Sequence, residues 1–179
     1  TFIPRNFNTV EIEPIFYDSI LNIHAIDILK DGSLAFAAND GVFGLYNSYK
    51  DMWQTSVQRY DSLSLDFRTV AHTATDFFML SSDNPALLYK TGNQGKMELV
   101  YEAHTLGVSY NAMSFWNDNE GIAVGNAGNG CLSIIITRNG GDTWEKLSCS
   151  NLPMAEEGES VFTASNTIKI VGNSIWIGT

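Results

Sequence analysis

The feature that most constrains this chain is a repeat. Short strand-like segments recur as Ile23-His24-Ala25-Ile26, Phe67-Arg68-Thr69-Val70 and Tyr110-Asn111-Ala112-Met113, at steps of 44 and 43 residues. A second set follows as Leu34-Ala35-Phe36-Ala37, Phe78-Met79-Leu80-Ser81 and Ile122-Ala123-Val124-Gly125, both steps being 44. A third set is Val42 to Tyr46, Ala86 to Lys90 and Leu132 to Ile136. A short fourth set is Trp53 to Thr55, Glu98 to Val100 and Trp144 to Leu147. Self-similarity at a fixed period of this size means that each unit is one supersecondary element burying its faces against its neighbours.

Within the units, apolar runs alternate with clusters of Gly, Asn, Asp and Ser, and helical periodicity is almost absent. That is the pattern of short strands joined by turns. Four short strands per unit predict an all-β fold, a β-propeller of four-stranded antiparallel blades. A β-sandwich also spaces its strands about 8–12 residues apart, but it does not repeat one four-strand order three times. A fourth unit begins at Val161-Phe162-Thr163-Ala164, with a second strand at Ser174-Ile175-Trp176-Ile177, and its spacing is looser. The expectation is a single partial propeller domain over residues 1–179, about three and a half blades of a ring of about seven. The blades fall near 20–56, 64–102 and 108–150, with an incomplete one at 159–179.

Charge narrows the partners. Ten basic residues stand against twenty acidic ones, for a net charge of −10. Such a field repels phosphate backbones and anionic surfaces. The four arginines (Arg5, Arg59, Arg68, Arg138) are scattered, so nucleic acid is not an expected partner. No apolar run approaches the ~20 residues of a membrane helix, so no membrane span is expected. The chain begins at Thr1 with no initiator Met and no signal-like segment, and Thr1 reads as a processed or artificially defined start with any targeting sequence lost from view.

The clearest motif is Thr137-Arg138-Asn139-Gly140-Gly141-Asp142-Thr143-Trp144. Its expected role is a structural staple between third and fourth strands. Asn139 would bond nearby backbone N–H groups, Gly141 would supply a positive φ, and Trp144 would bury its ring between blades. Thr91, Asn93 and Gly95 repeat its first half, but Glu98 stands where Trp would be; in the first unit only Trp53 survives. The motif resembles the Asp-box (BNR-like) repeat. Phe115 to Asn126 before it, and Phe67 to Ala71, are similar to the photosystem II assembly factor type of Asp-box propeller. The tail, Phe162 to Thr167 and Trp176 to Thr179, resembles bacterial members labelled "oxidoreductase" or "glycosyl hydrolase". The resemblance implies a ring of about seven blades. It spans sialidases, sugar-binding proteins, sorting receptors and assembly factors, so it specifies fold more than function.

Enzymatic readings find little in the residues. A sialidase needs clustered arginines for a carboxylate. No Gly-rich loop joins a strand to a helix, so no nucleotide cofactor is expected. His24, His72 and His104 lack metal-ligand spacing, and no metal site is expected. Gly125 to Gly130 reads as a turn, and Asp118 and Glu120 read as solvated acids. A site is suggested instead by alignment: His24, Arg68, Asn111 and Ser160 share one position just inside the first strand of each unit. First strands line a propeller's channel, so these four would form a polar ring at its mouth, a candidate ligand-binding position. Tyr110, Phe115 and Trp116 are expected in the inter-blade core.

Cys131 and Cys149 are the only cysteines. If Thr137 pairs with Trp144, Cys131 faces Ser150, one step from Cys149. A one-step offset points the two side chains to opposite faces, so two buried free thiols are expected rather than a bridge. The sequence thus reads as a non-catalytic binding or scaffolding module, exported, with a protein or carbohydrate ligand at the channel face and a second copy as one way to complete the ring. The alternative is a carbohydrate-active enzyme with its catalytic residues outside this chain.

Overall fold

The computed structural model describes residues 3, 8–18, 20–82, 84–92, 95–128, 130–162 and 167–179. Among them the strands form three four-stranded antiparallel sheets and one hairpin. The first sheet holds β1 (Ile23–Ile28), β2 (Leu34–Ala38), β3 (Val42–Asn47) and β4 (Met52–Val57). The second holds β5 (Phe67–His72), β6 (Phe77–Ser81), β7 (Ala86–Thr91) and β8 (Met97–Ala103). The third holds β9 (Tyr110–Phe115), β10 (Gly121–Gly128), β11 (Cys131–Thr137) and β12 (Glu145–Lys146). The hairpin is β13 (Ile168–Val171) with β14 (Ser174–Ile177). Each sheet is a meander in chain order, one propeller blade per unit, and about three and a half blades are present.

Burial follows position in the blade. β6 is buried along its whole length, and β2 almost so, whereas β4 is mostly exposed. A middle strand covered on both faces tolerates an unbroken apolar run; an outer strand does not. Three apolar seams hold the sheets together. Ala35 and Ala37 of the first blade meet Phe67, Val70, Met79 and Leu87 of the second. Phe78, Leu80 and Leu88 on the second blade's other face meet Tyr110, Met113, Ile135 and Trp144 of the third. Ala112, Ile122, Val124 and Ile134 of the third meet Ile168, with Ile170, Ile175 and Ile177 of the hairpin alongside.

The fourth unit departs from expectation. Ser174–Ile177 pairs with Ile168–Val171 across a tight turn, and β13 was not anticipated. Val161 is buried against the third blade and Phe162 is exposed. Thr163 and Ala164 of the expected first strand, and Ser165 and Asn166 beyond, lie outside the described residues, as does Asn93.

The cysteine expectation is overturned: Cys131 and Cys149 form a disulfide, with Cα atoms 5.6 Å apart. The assumed register is correct, since Ile135 pairs with Lys146 and Ile136 with Glu145. The error was to extend it past the strand. β12 ends at Lys146, Ser148 accepts a bond from Ser150 N, and Cys149–Asn151 turn as a short 3-10 segment. Off the ladder, the alternation of side chains between faces no longer applies, and the two sulfurs meet.

Candidate functional site

The first strands β1, β5 and β9 are edge strands of their sheets, and together they line one groove. It has a volume of about 370 Å³, with Ile168 of β13 contributing to its wall.

A repeated irregularity sits near the start of each of these strands, and it places His24 and Arg68 in the lining. In β1, Ile23 pairs with Ala38 and Ala25 with Ala37, which leaves His24 as the extra residue of a β-bulge. In β5, Phe67 pairs with Ser81 and Thr69 with Leu80, leaving Arg68. In β9, Tyr110 pairs with Gly125 and Ala112 with Val124, leaving Asn111. Each is the second residue of its strand. A bulge lifts one residue out of the alternation of faces and re-aims its side chain. Three candidates from the alignment are therefore structurally equivalent as well. Ser160 is exposed, lies outside the described strands and is not brought into this set.

The re-aimed side chains reach different partners. His24 Nε2 lies 3.0 Å from Asp66 Oδ1. That oxygen is buried, and the contact lacks hydrogen-bond directionality; it is a charge contact only when His24 is protonated. Arg68 donates from Nε to Asp66 Oδ2 at 2.9 Å, and its Nη2 lies 2.6 Å from the same oxygen. Asp66 thus joins the bulges of the first and second blades. Asn111 is fully occupied: Nδ2 donates to Asn126 Oδ1 and to the Val161 carbonyl, both at 2.9 Å, and Oδ1 accepts from Ser109 Oγ. Arg68 differs, because its side chain is 36% exposed and, among the described residues, only Nε and Nη2 are engaged.

The far end of the groove is also tied. His72 Nδ1 lies 2.6 Å from Asp27 Oδ2, so the seam between the first two blades carries a His–Asp pair at each end. Asp118 accepts from Lys30 Nζ at 2.9 Å and from Ala74 N at 2.7 Å, joining turns of three blades. The Lys30 ammonium, then the Ala74 N–H, holds its carboxyl below the ordinary value. Asp118 was expected to be merely solvated; it is a fastening. Asp27 and Asp66 were missed altogether, and His72 was weighed only as a metal ligand. A signal for Asp66 was present in the polar residues just before each first strand, Asn22, Asp66 and Ser109. Tyr110 is fully buried, Phe115 packs against Phe78 and Trp144, and both Phe115 and Trp116 border the groove.

The 137–144 turn lies at the rim. Thr137 Oγ1 accepts from Gly141 N at 3.0 Å, and Asn139 Oδ1 accepts from Thr143 N at 3.1 Å. Gly141 has φ +80°, and a Cβ there would run into the Phe78 ring of the neighbouring blade. Trp144 meets Phe78 and Phe115 edge-on, and Lys90 pairs with Asp142 across the same seam at 2.5 Å.

No protein-family profile and no curated protein matches this sequence. Solved structures do. It is similar to YCF48 from Cyanidioschyzon merolae, at 15% identity and a TM-score of 0.58, over 84% of this chain and 45% of that one. A structure of YCF48 bound to D1 peptide matches at 12% identity and a TM-score of 0.53, over 69% and 39%. The Cps50 (Swd1) β-propeller domain of Myceliophteria thermophila matches at 14% identity and a TM-score of 0.52, over 81% and 48%. The chain spans less than half the length of each of these three. At such identities the likeness concerns fold alone, and the fold is that of a β-propeller.

Proposed function

We propose that this chain is a non-catalytic binding module that holds an extended protein segment in the groove along β1, β5 and β9. The observation that carries the reading is the bulge repeated at His24, Arg68 and Asn111. Bulges recur next to functional sites because they aim a side chain away from the sheet. Arg68 is the ligand contact, donating to a backbone carbonyl of the segment; His24 and Asp66 position it, and Asn111 fixes the third blade's wall. The edge strands offer a row of backbone groups without a sheet partner, which suits a peptide backbone. The net charge of −10 favours a basic segment. A structurally similar chain, YCF48, has been solved bound to D1 peptide, which supports a peptide ligand.

The glycan-processing reading has less support, because the groove's carboxylates are engaged, Asp27 with His72 and Asp118 with Lys30, and Asp66 beside it pairs with His24 and Arg68. The 137–144 turn is read as an Asp-box, and the chain as part of a ring of about seven blades. The Cys131–Cys149 bridge favours an oxidising, exported setting.

A random dodecapeptide phage library, selected on wild-type protein and counter-selected on Arg68→Ala, tests the site. Enriched peptides should be rich in basic residues and lose about tenfold or more in affinity on Arg68→Ala, the ~1.4 kcal/mol of one lost charge-assisted contact. Peptides binding both proteins equally, or no enrichment, would sink the proposal.

A further inference from the structure

The first blade has an outward face as well as the face it turns to the second blade. Ala35, Ala37, Phe43 and Leu45 point toward the second blade. By alternation along the strands, Phe36, Gly44, Tyr46 and Trp53 point the other way. Gly44 makes room there, since a Cβ would strike the Phe36 ring. This face repeats the design of the seam between second and third blades, where Gly141 makes room for Phe78 and Trp144 packs on it. What fills the place of Phe78 on the first blade is Phe16, from the segment before β1. Its ring lies 5.1 Å from Trp53 and 5.4 Å from Phe36. The Trp53 indole Nε1 also donates to the Ile15 carbonyl at 2.7 Å.

We infer that the outward face of the first blade is a docking site for a short aromatic segment, and that Ile15–Phe16 of the same chain occupies it. The attachment is local. Val10 and Ile12 are 85% and 86% exposed and Tyr17 is exposed, so Phe16 is the anchor. Pro14 keeps the preceding backbone extended. Asp18 accepts from Ile20 N and Leu21 N, turning the chain back, and Asn22 N bonds Asn39 Oδ1 on the same blade. The short connection to Ile23 keeps the anchor at high effective concentration.

The test is Phe16→Ala in the full chain, read by acrylamide quenching of tryptophan emission and by hydrogen exchange. A Trp53→Phe background identifies the responding indole. The expected result is several-fold stronger quenching of Trp53 and several-fold faster exchange at Met52–Val57, with β9–β11 unchanged. Phe16→Leu, which keeps apolar bulk, should fall between and guards against global unfolding. Wild-type quenching and exchange in Phe16→Ala would overturn the inference. So would a quenching change that depends on protein concentration, because the occupant would then be a second copy's segment.

Discussion

Gly141 and Gly95 both adopt positive φ, +80° and +73°, yet only Gly141 has a ring where its Cβ would go; Gly95 has nothing within 4 Å. The two separate backbone strain from packing. Gly95→Ala should cost about 1 kcal/mol, the strain of a left-handed L-residue. Gly141→Ala should cost about 3 kcal/mol, because displacing Phe78 adds an overpacking penalty. Urea melts of both variants check this, and equal losses would mean that Phe78 yields freely. A second residue-scale test concerns pH. Tyr60 donates to Glu102 at 2.5 Å, fastening the link between the first two blades to β8. This bond, with the His104 contact, holds the Glu102 carboxyl below its ordinary value, and the carboxylate pushes the Tyr60 hydroxyl up to about 12. A depressed carboxyl contributes stability that is present above the ordinary carboxyl pKa, near ~4.3, and lost as pH falls through the lower folded value. A raised hydroxyl contributes stability that is present below ~10 and lost as pH rises toward about 12. Tyr60→Phe should therefore narrow its stability gap to wild type at both extremes in a pH series of melts. A gap constant across pH would contradict the coupling.

At the scale of elements, the disulfide sets what a strand rule can carry. The β11–β12 register was legible from one hairpin motif, because Thr137, Gly141 and Trp144 fix where the chain reverses. The bridge was not legible, because the 3-10 turn at Cys149–Asn151 has no repeating signature in the sequence. The bridge closes a sequence separation of 18 residues, and removing such a link costs about 3 kcal/mol. Cys131→Ser/Cys149→Ser should lose about this much in a denaturant melt, and wild type under reductant should match it. A reductant-insensitive wild type would mean that the thiols do not pair. The bulges illustrate the same boundary. Alignment placed His24, Arg68 and Asn111 at one position, but period-2 alternation says nothing of an extra residue; only the pairings on either side of each reveal it. Asp66 was hidden for a related reason: it precedes its strand, where no periodicity applies.

At the scale of the molecule, repetition explains how much could be read. A period near 44 residues determines which strands are inner, middle and outer, and hence which apolar faces form seams. It also determines that β1, β5 and β9 share a groove. It does not determine what a segment outside the repeat packs against, which is why Phe16 was invisible to the alignment. Nor does it select a ligand, because contacts such as His24–Asp66 and His72–Asp27 join neighbouring blades at pairs of positions that no single unit contains. The account's central claim is that the bulged inner strands form the binding surface. Hydrogen exchange of the protein with and without a selected basic peptide tests it most directly. Slowed exchange confined to Ile23–Ile28, Phe67–His72 and Tyr110–Phe115 is the predicted result; slowing confined to the outer strands Met52–Val57 and Met97–Ala103, with the inner strands unchanged, would contradict it.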